Sequence, residues 1–254
     1  MGNAKHKSIS ALVVAHNEET QLAECLKRLS FADQLVVVLD KCTDNSKLIA
    51  SSFTEHVIEG NWDLEGDRRN VGIQACDSDW ILEVDSDERV STLLASEIKE
   101  AIEQTEAGYF LIPFDNYIGE TRVRYGWGAS WGVSAAPRLF RKGHKRWGNQ
   151  RIHPSLELKG PRKQLENRMV HLVDKNISDM IQRLDRYTTA RAADLRSSCD
   201  IGSFGHNVRR MFSRFWKCYV SRRGYREGPY GFLNALFAGL YPVLSYLKAR
   251  LEKN

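Results

Sequence analysis

Asp85-Ser86-Asp87-Glu88 places two carboxylates two residues apart where the strand-like run WILEV (80–84) stops and a helical pattern begins. Acids so spaced can share a hard divalent cation such as Mg²⁺ or Mn²⁺, which takes oxygen ligands and keeps open positions. A bound cation of this kind grips a diphosphate and neutralises charge on a departing group. The same four residues could equally form a solvated acidic turn, so their place in the fold decides between the readings.

Two further polar loops follow apolar runs. Ala15-His16-Asn17-Glu18 comes after SISALVV, and Asp40-Lys41-Cys42-Thr43-Asp44 after QLVVVL. The Asp40 carboxylate can accept hydrogen bonds from a base or ribose, whereas Asn17, Glu18 and Asp44 could simply cap the helices that follow. No Gly-x-Gly-x-x-Gly fingerprint or Walker loop is present, so any phosphate must be met by metal and side chains.

The elements that must position these loops are legible from periodicity. SISALVVA, QLVVVL, EHVIE and WILEV read as strands, and EETQLAECLKRL and GDRRNVGIQAC as the helices between them. This alternation predicts an α/β fold with a mostly parallel sheet and flanking helices, in which the loops at His16, Asp40 and Asp85 share one crevice beyond the carboxyl ends of the strands. A helix is expected over 91–104, with Leu94, Ile98 and Ile102 on one face, followed by the strand GYFLIPF. From 116 to 173 the chain is rich in Gly, Arg and Trp, as suits a substrate-binding region of loops.

The ordered set VVAHNEE, VVVLDKCTDNS and GDRRNVGIQACDSDWILEVDSDE resembles the nucleotide-binding half of family 2 inverting glycosyltransferases of GT-A fold. Later segments, PRLFRKG, RIHPSLEL, MVHLVD and RRGYREGPYGFLNALFAGLYPVLSYLK, are similar to bacterial lipopolysaccharide inner-core glucosyltransferases. The resemblance implies that Ala15, His16, Asn17, Glu18 and Asp40 hold the uridine of a UDP-sugar. Arg69 and Asn70 would lie near the nucleotide, and Asp85 and Asp87 at the ribose and metal. His171 resembles a histidine that completes the metal or diphosphate site, although a half-buried structural role fits it too. Arg138 and Arg141 could receive the diphosphate or an acidic acceptor. Residues 1–175 would then form the transferase domain, with 1–90 the nucleotide-binding half and 91–175 the acceptor-binding half.

An inverting transfer needs a base at the acceptor hydroxyl. Many relatives carry His-Glu where this chain has His153-Pro154, which leaves His153, Glu157 and Asp115 as candidates. A relative that binds a sugar nucleotide or lipid without turnover is the alternative this departure opens. A third reading comes from Gly128-Ala129-Ser130-Trp131-Gly132, which matches a serine-hydrolase nucleophile elbow and requires Ser130 between a core strand and a long helix.

The 254 residues carry a net charge of +5, yet residues 201–226 hold seven Arg and Lys with no acid, leaving the remainder slightly negative. Basic residues interleave there with Met211, Phe212, Phe215, Trp216 and Tyr219, which predicts a basic amphipathic helix within a helical region over 176–254. The apolar stretch 232–247 contains Pro242 and is shorter than the roughly 20 residues a spanning helix needs, so it should lie in an interface. An anionic membrane surface is the expected partner of 205–250, in preference to nucleic acid. Five scattered cysteines without a Cys-x-x-Cys pair point to a reducing compartment. The N-terminus shows no signal-peptide apolar core, so the catalytic part is expected to face the cytosol. The resemblance implies a peripheral protein at the cytoplasmic face of a bacterial inner membrane, moving a hexose from a UDP-sugar to a lipid-linked glycan such as the inner-core heptose of lipopolysaccharide.

Overall fold

The computed structural model describes residues 6–128, 131–150, 154–198 and 201–252. The chain forms two compact units, Met1–Phe114 with Ala135–His171, and Asp115–Ser134 with Leu172–Asn254.

In the first unit, four β-branched runs become strands β1 (Ile9–Ala15), β2 (Gln34–Asp40), β3 (Val57–Gly60) and β4 (Trp80–Asp85), joined through helices α1 (Leu22–Lys27), α2 (Ser46–Ser51) and α3 (Glu65–Ala75). They pair in parallel in the order β3-β2-β1-β4. The order reverses at β1, and the crevice outside the carboxyl ends of β1 and β4 is where sheets of this kind bind ligands. Both faces are covered, which is why these strands are apolar almost throughout. Val13, Leu39, Leu82 and Val84 face one core with Leu22 and Leu26, while Leu12, Val38 and Ile81 face another with Ile73.

After the two-residue strand β5 (Glu88–Arg89), α4 (Thr92–Glu103) is capped by Ser91, whose hydroxyl accepts the Leu94 N–H, and it buries Leu94, Ile98 and Ile102 as its spacing predicts. The sheet then turns mixed. Strand β6 (Tyr109–Ile118) precedes β7 (Thr121–Val123), and β8 (Ala135–Arg141) inserts antiparallel between β4 and β6. Strands β9 (Lys145–Trp147) and β10 (Leu156–Leu158) form a hairpin, β11 (Arg162–Gln164) joins β6, and β12 (Met169–Asp174) pairs antiparallel with β5.

The second unit contains the β6–β7 hairpin segment and helices α5 (Ile177–Ser197), α6 (Phe204–Trp216) and α7 (Gly228–Leu251). The stretch expected to lie in an interface is the core of this unit. Ala235, Phe237, Ala238 and Tyr241 of α7 are buried together with Trp131, Met180 and Leu184. A window of α7 is long and apolar enough to cross a membrane, but 56% of it is buried inside the protein.

Gly72 sets how closely α3 lies on the sheet, since a Cβ there would collide with Leu12 Cδ1 and come within 2.9 Å of Val38 Cγ2. Overpacking of this kind costs about 1–3 kcal/mol. The variant Gly72→Val is expected to lower Tm by several degrees while Gly143→Ala, at a position with open space but positive φ, loses less; differential scanning calorimetry of the two checks this.

Candidate active site

The three expected loops meet at one edge of the sheet. His16 Nδ1 donates to the Asp40 carbonyl at 2.6 Å, and Asn17 Oδ1 accepts the Thr43 N–H at 2.7 Å. Glu18 N–H donates to Ser46 Oγ at 2.9 Å, and Glu19 exchanges hydrogen bonds with Asp44 and Asn45. The loops after β1 and β2 are thus laced together, which helps hold Asn17 and Lys41 in the left-handed region at φ 55° and 53°. Ala15, the last residue of β1, is buried. Asp85 lies at the same edge, because Val14 of β1 pairs with it in register.

Consecutive arginines of α3 serve the two strands. Arg68 donates to Asp40 Oδ2 at 2.8 Å, and Trp62 N–H donates to the other Asp40 oxygen at 3.0 Å. Arg69 reaches Glu83 Oε1 at 2.5 Å and Asp85 Oδ1 at 3.0 Å, with its guanidinium 4.9 Å from the Trp147 ring centre. Asn70 does something else. Its side chain makes a reciprocal pair of 2.9 Å hydrogen bonds with the backbone of Trp147, so it pins β9 to α3.

Strand alternation puts Glu83 and Asp85 on one face of β4. Glu83 is fully buried, and Lys145 Nζ donates to it at 2.6 Å. From β8, Arg138 donates to both Asp85 and Glu88, and Glu88 also accepts the Asp85 N–H at 2.9 Å. Three carboxylates, Glu83, Asp85 and Glu88, therefore face three cations, Arg69, Arg138 and Lys145. Burial pushes the Glu83 carboxyl up, but Lys145, Arg69 and Arg138 outweigh it and hold it at about 2. Burial likewise works against Asp85, and Arg138 and Arg69 bring it far below the usual range. Glu88 goes the other way, raised by burial and by the neighbouring Asp85 charge against the pull of Arg138. Burial lowers the Lys145 ammonium to about 8, opposed by Glu83.

Both Asp85 oxygens carry guanidinium groups, whereas Asp87 faces differently. The antiparallel pairing of β5 with β12 sets His171 opposite Glu88 and alongside Asp87, with His171 Nε2 3.4 Å from Asp87 Oδ2. Asp87, Glu88 and His171 each offer an atom within 4.8 Å of the others, the spacing of a metal-holding group. Asp87 Oδ1 is buried and lacks a hydrogen-bond partner among the described residues, and an unsatisfied buried carboxylate oxygen fits a cation. Burial acts against the His171 charge, but Asp87 raises its pKa overall. The geometry separates the two aspartates expected to act together, Asp85 joining the arginines and Asp87 joining His171.

The remaining candidates are dispersed. Arg141 lies opposite Trp80, three residues along β8 from Arg138 and so roughly 10 Å toward the other end of β4. There it stacks on the Trp80 ring and donates to the carbonyls of Thr105 and Ala107, a structural task in place of the diphosphate contact expected of it. Glu157 is exposed opposite Arg146 and lines a cavity of about 800 Å³ with Trp62, Asn70 and Lys145, a lining that includes neither Asp87 nor His171. Asp115 belongs to the second unit, 3.6 Å from Arg122. His153 and Ser130 lie outside the described residues. Strand β8, in place of a helix, follows the Gly128–Gly132 segment, so the nucleophile-elbow reading fails on its required context. Glu83, Glu88, Arg68, Lys145 and Trp147 were not anticipated. An acid inside the apolar run WILEV was the available signal for Glu83.

A family model described as Glycosyl transferase family 2 matches residues 10–155, more than half of the chain. An uncharacterized glycosyltransferase of Rickettsia bellii (strain RML369-C) is 31% identical over 94 residues, 37% of this chain and 32% of the relative, so the match spans about a third of that protein. The lipopolysaccharide core biosynthesis glycosyltransferase LpsC of Rhizobium meliloti (strain 1021) is 20% identical over 258 residues, covering 94% of this chain and 91% of LpsC. Among solved structures, S. aureus TarS 1-349, also solved in complex with UDP-GlcNAc, aligns at TM-score 0.51 and 14% identity over 93% of this chain and 81% of TarS. That likeness bears out the GT-A architecture.

Because the Glu83 pKa is lowered on folding from 4.5 to about 2, its ionised form contributes stability above about pH 4.5 that is lost as the pH falls through 2. The contribution is on the order of 3 kcal/mol, and Lys145 stays protonated throughout that window. Thermal melts of the wild type should decline between pH 4.5 and 2, and Glu83→Gln should start lower and decline less steeply.

Proposed function

The chain belongs to glycosyltransferase family 2, and from that membership we propose that it transfers a hexose, with inversion, from a UDP-sugar to a lipid-linked saccharide. The observation that carries the reading is the Asp87–Glu88–His171 cluster, with its unsatisfied Asp87 oxygen, at the sheet edge that also presents the Asp40 and His16 loops. Residues 1–90 act as the nucleotide-binding half and 91–175 as the acceptor-binding half. The similarity to LpsC, a lipopolysaccharide core biosynthesis glycosyltransferase, supports a lipopolysaccharide-core acceptor, for which our reading takes inner-core heptose with UDP-glucose as donor; TarS supplies an example of this fold with UDP-GlcNAc bound.

In this reading Ala15, His16, Asn17, Glu18 and Asp40 line the uridine site, where the loop-to-loop hydrogen bonds keep the lining in place before substrate arrives. Arg69 and Arg138 hold Asp85 ionised beside the ribose. Asp87 and His171 would hold Mg²⁺ or Mn²⁺, with Glu88 beside them, and the bound cation would offset the charge of the leaving diphosphate. The acceptor hydroxyl loses its proton to one of His153, Glu157 and Asp115.

A membrane as partner is supported by an exposed aromatic and basic face in the second unit. Arg209, Phe212, Ser213 and Trp216 recur at helical spacing along the outer face of α6, with exposed Lys217 just beyond its end; Phe212 is 65% and Trp216 63% exposed. Aromatic side chains rimmed by cations suit an anionic leaflet at the cytoplasmic face of the inner membrane.

Incubation with UDP-glucose and Mn²⁺ is expected to release UDP, and Asp87→Asn to reduce the rate at least about a hundredfold while leaving the melting curve intact. Nucleotide binding without any release from the wild type would support the non-catalytic alternative. For the membrane surface, Phe212→Ser with Trp216→Ser should weaken binding to phosphatidylglycerol vesicles by about tenfold or more, each aromatic contributing about 1.5–3 kcal/mol when buried; unchanged co-sedimentation would refute that placement.

A further inference from the structure

The second unit holds a basic pocket that the transfer chemistry does not use. Its volume is about 340 Å³, at the low end of the roughly 300–1,000 Å³ typical of small-molecule sites, and it is lined by Arg124, Tyr125, Ser134, Ser221, Arg222 and Arg223. The residues are held by unusual backbone. A π-helical turn over Lys217–Ser221 ends at Arg222, and Arg223 then adopts a left-handed conformation at φ 60°, a strained state for a residue with a long side chain. Two positive-φ glycines bring the opposite wall close. Gly126 N–H donates to the Arg222 carbonyl at 3.0 Å, and a Cβ at Gly128 would collide with the Arg222 guanidinium.

The guanidinium set in place there hydrogen-bonds the Cys218 thiol and keeps one nitrogen for another partner. Arg222 Nη1 is buried and has no hydrogen-bond partner among the described residues. Glu227 is the nearby acid, but its Oε1 already accepts the backbone N–H groups of Arg124 and Tyr125 at 2.9 and 2.8 Å. Arg226 adds a fourth cation, 5.4 Å from the centre of the Tyr125 ring. Guanidinium groups clustered around hydroxyls favour a compact, multiply charged oxyanion.

We propose that this pocket binds a phosphomonoester, with Arg222 as its anchoring contact. The inference does not rest on the transferase reading, because the ligand and the variants tested are separate from the nucleotide site. Isothermal titration of the full chain with glucose 6-phosphate should show saturable binding at low salt that glucose lacks. Vesicles of phosphatidylcholine with and without phosphatidic acid distinguish a lipid headgroup from a soluble phosphosugar as the source. Arg222→Gln should weaken binding at least about tenfold, with an unchanged thermal melt and circular dichroism spectrum as the control for folding. Should that variant not fold, Ser221→Asp, at an exposed position on the rim, places a negative charge in the pocket and should abolish binding. Absence of saturable binding to both glucose 6-phosphate and phosphatidic acid, or binding unaltered in the folded variants, overturns the proposal.

Discussion

A carboxylate removed from water must be answered by a cation or by a proton, and the end of β4 is built around that requirement. Glu83, Asp85 and Glu88 are answered by Arg69 from α3 and by Arg138 and Lys145 from β8 and β9. Buried ion pairs are poor evidence of net stability, but removal of one partner is costly, so such a network fixes geometry. It joins a helix, the parallel strands and the antiparallel extension at one point, and it determines which aspartate is available for other work. Asp85 is committed to guanidinium groups on both oxygens. Asp87, two residues on and across from β12, is left with a buried oxygen and an imidazole for company.

The second unit solves a different problem. Its longest apolar helix, α7, packs on α5 and α6 and forms the core of the unit, with 56% of its apolar window buried inside the protein. The aromatic and basic residues that stay exposed are on α6, where the outer face carries Phe212 and Trp216. Deleting α7 would therefore remove the core of the unit, and membrane attachment must be probed at α6.

The parallel half of the fold was legible because alternating β-branched runs and helical spacing are local signals, and the crevice followed from the position of three polar loops. Arg69 and Asp85 were identified from motif context, yet the contact of Asp85 with Arg138 was not, since it depends on the antiparallel register of β8, some 50 residues away. The same register explains why Arg141 was misplaced: Arg138 and Arg141 are neighbours in sequence but occupy opposite ends of β4. The resemblance puts Asn70 near the nucleotide, and nothing in its local sequence marks the bracing of β9 that its side chain performs. The nucleophile-elbow pattern at Gly128–Gly132 shows the converse error, a five-residue match without the helix that would give it meaning.

In the proposed site Asp87 and His171, and not Asp85, would be the protein ligands of a divalent cation. Crystals grown with UDP and Mn²⁺, measured at the manganese absorption edge, test it directly. An anomalous peak is expected within coordination distance of Asp87 and His171, with Asp85 still paired to Arg69 and Arg138. A peak held by Asp85 with its arginines displaced, or one remote from His171, would contradict it.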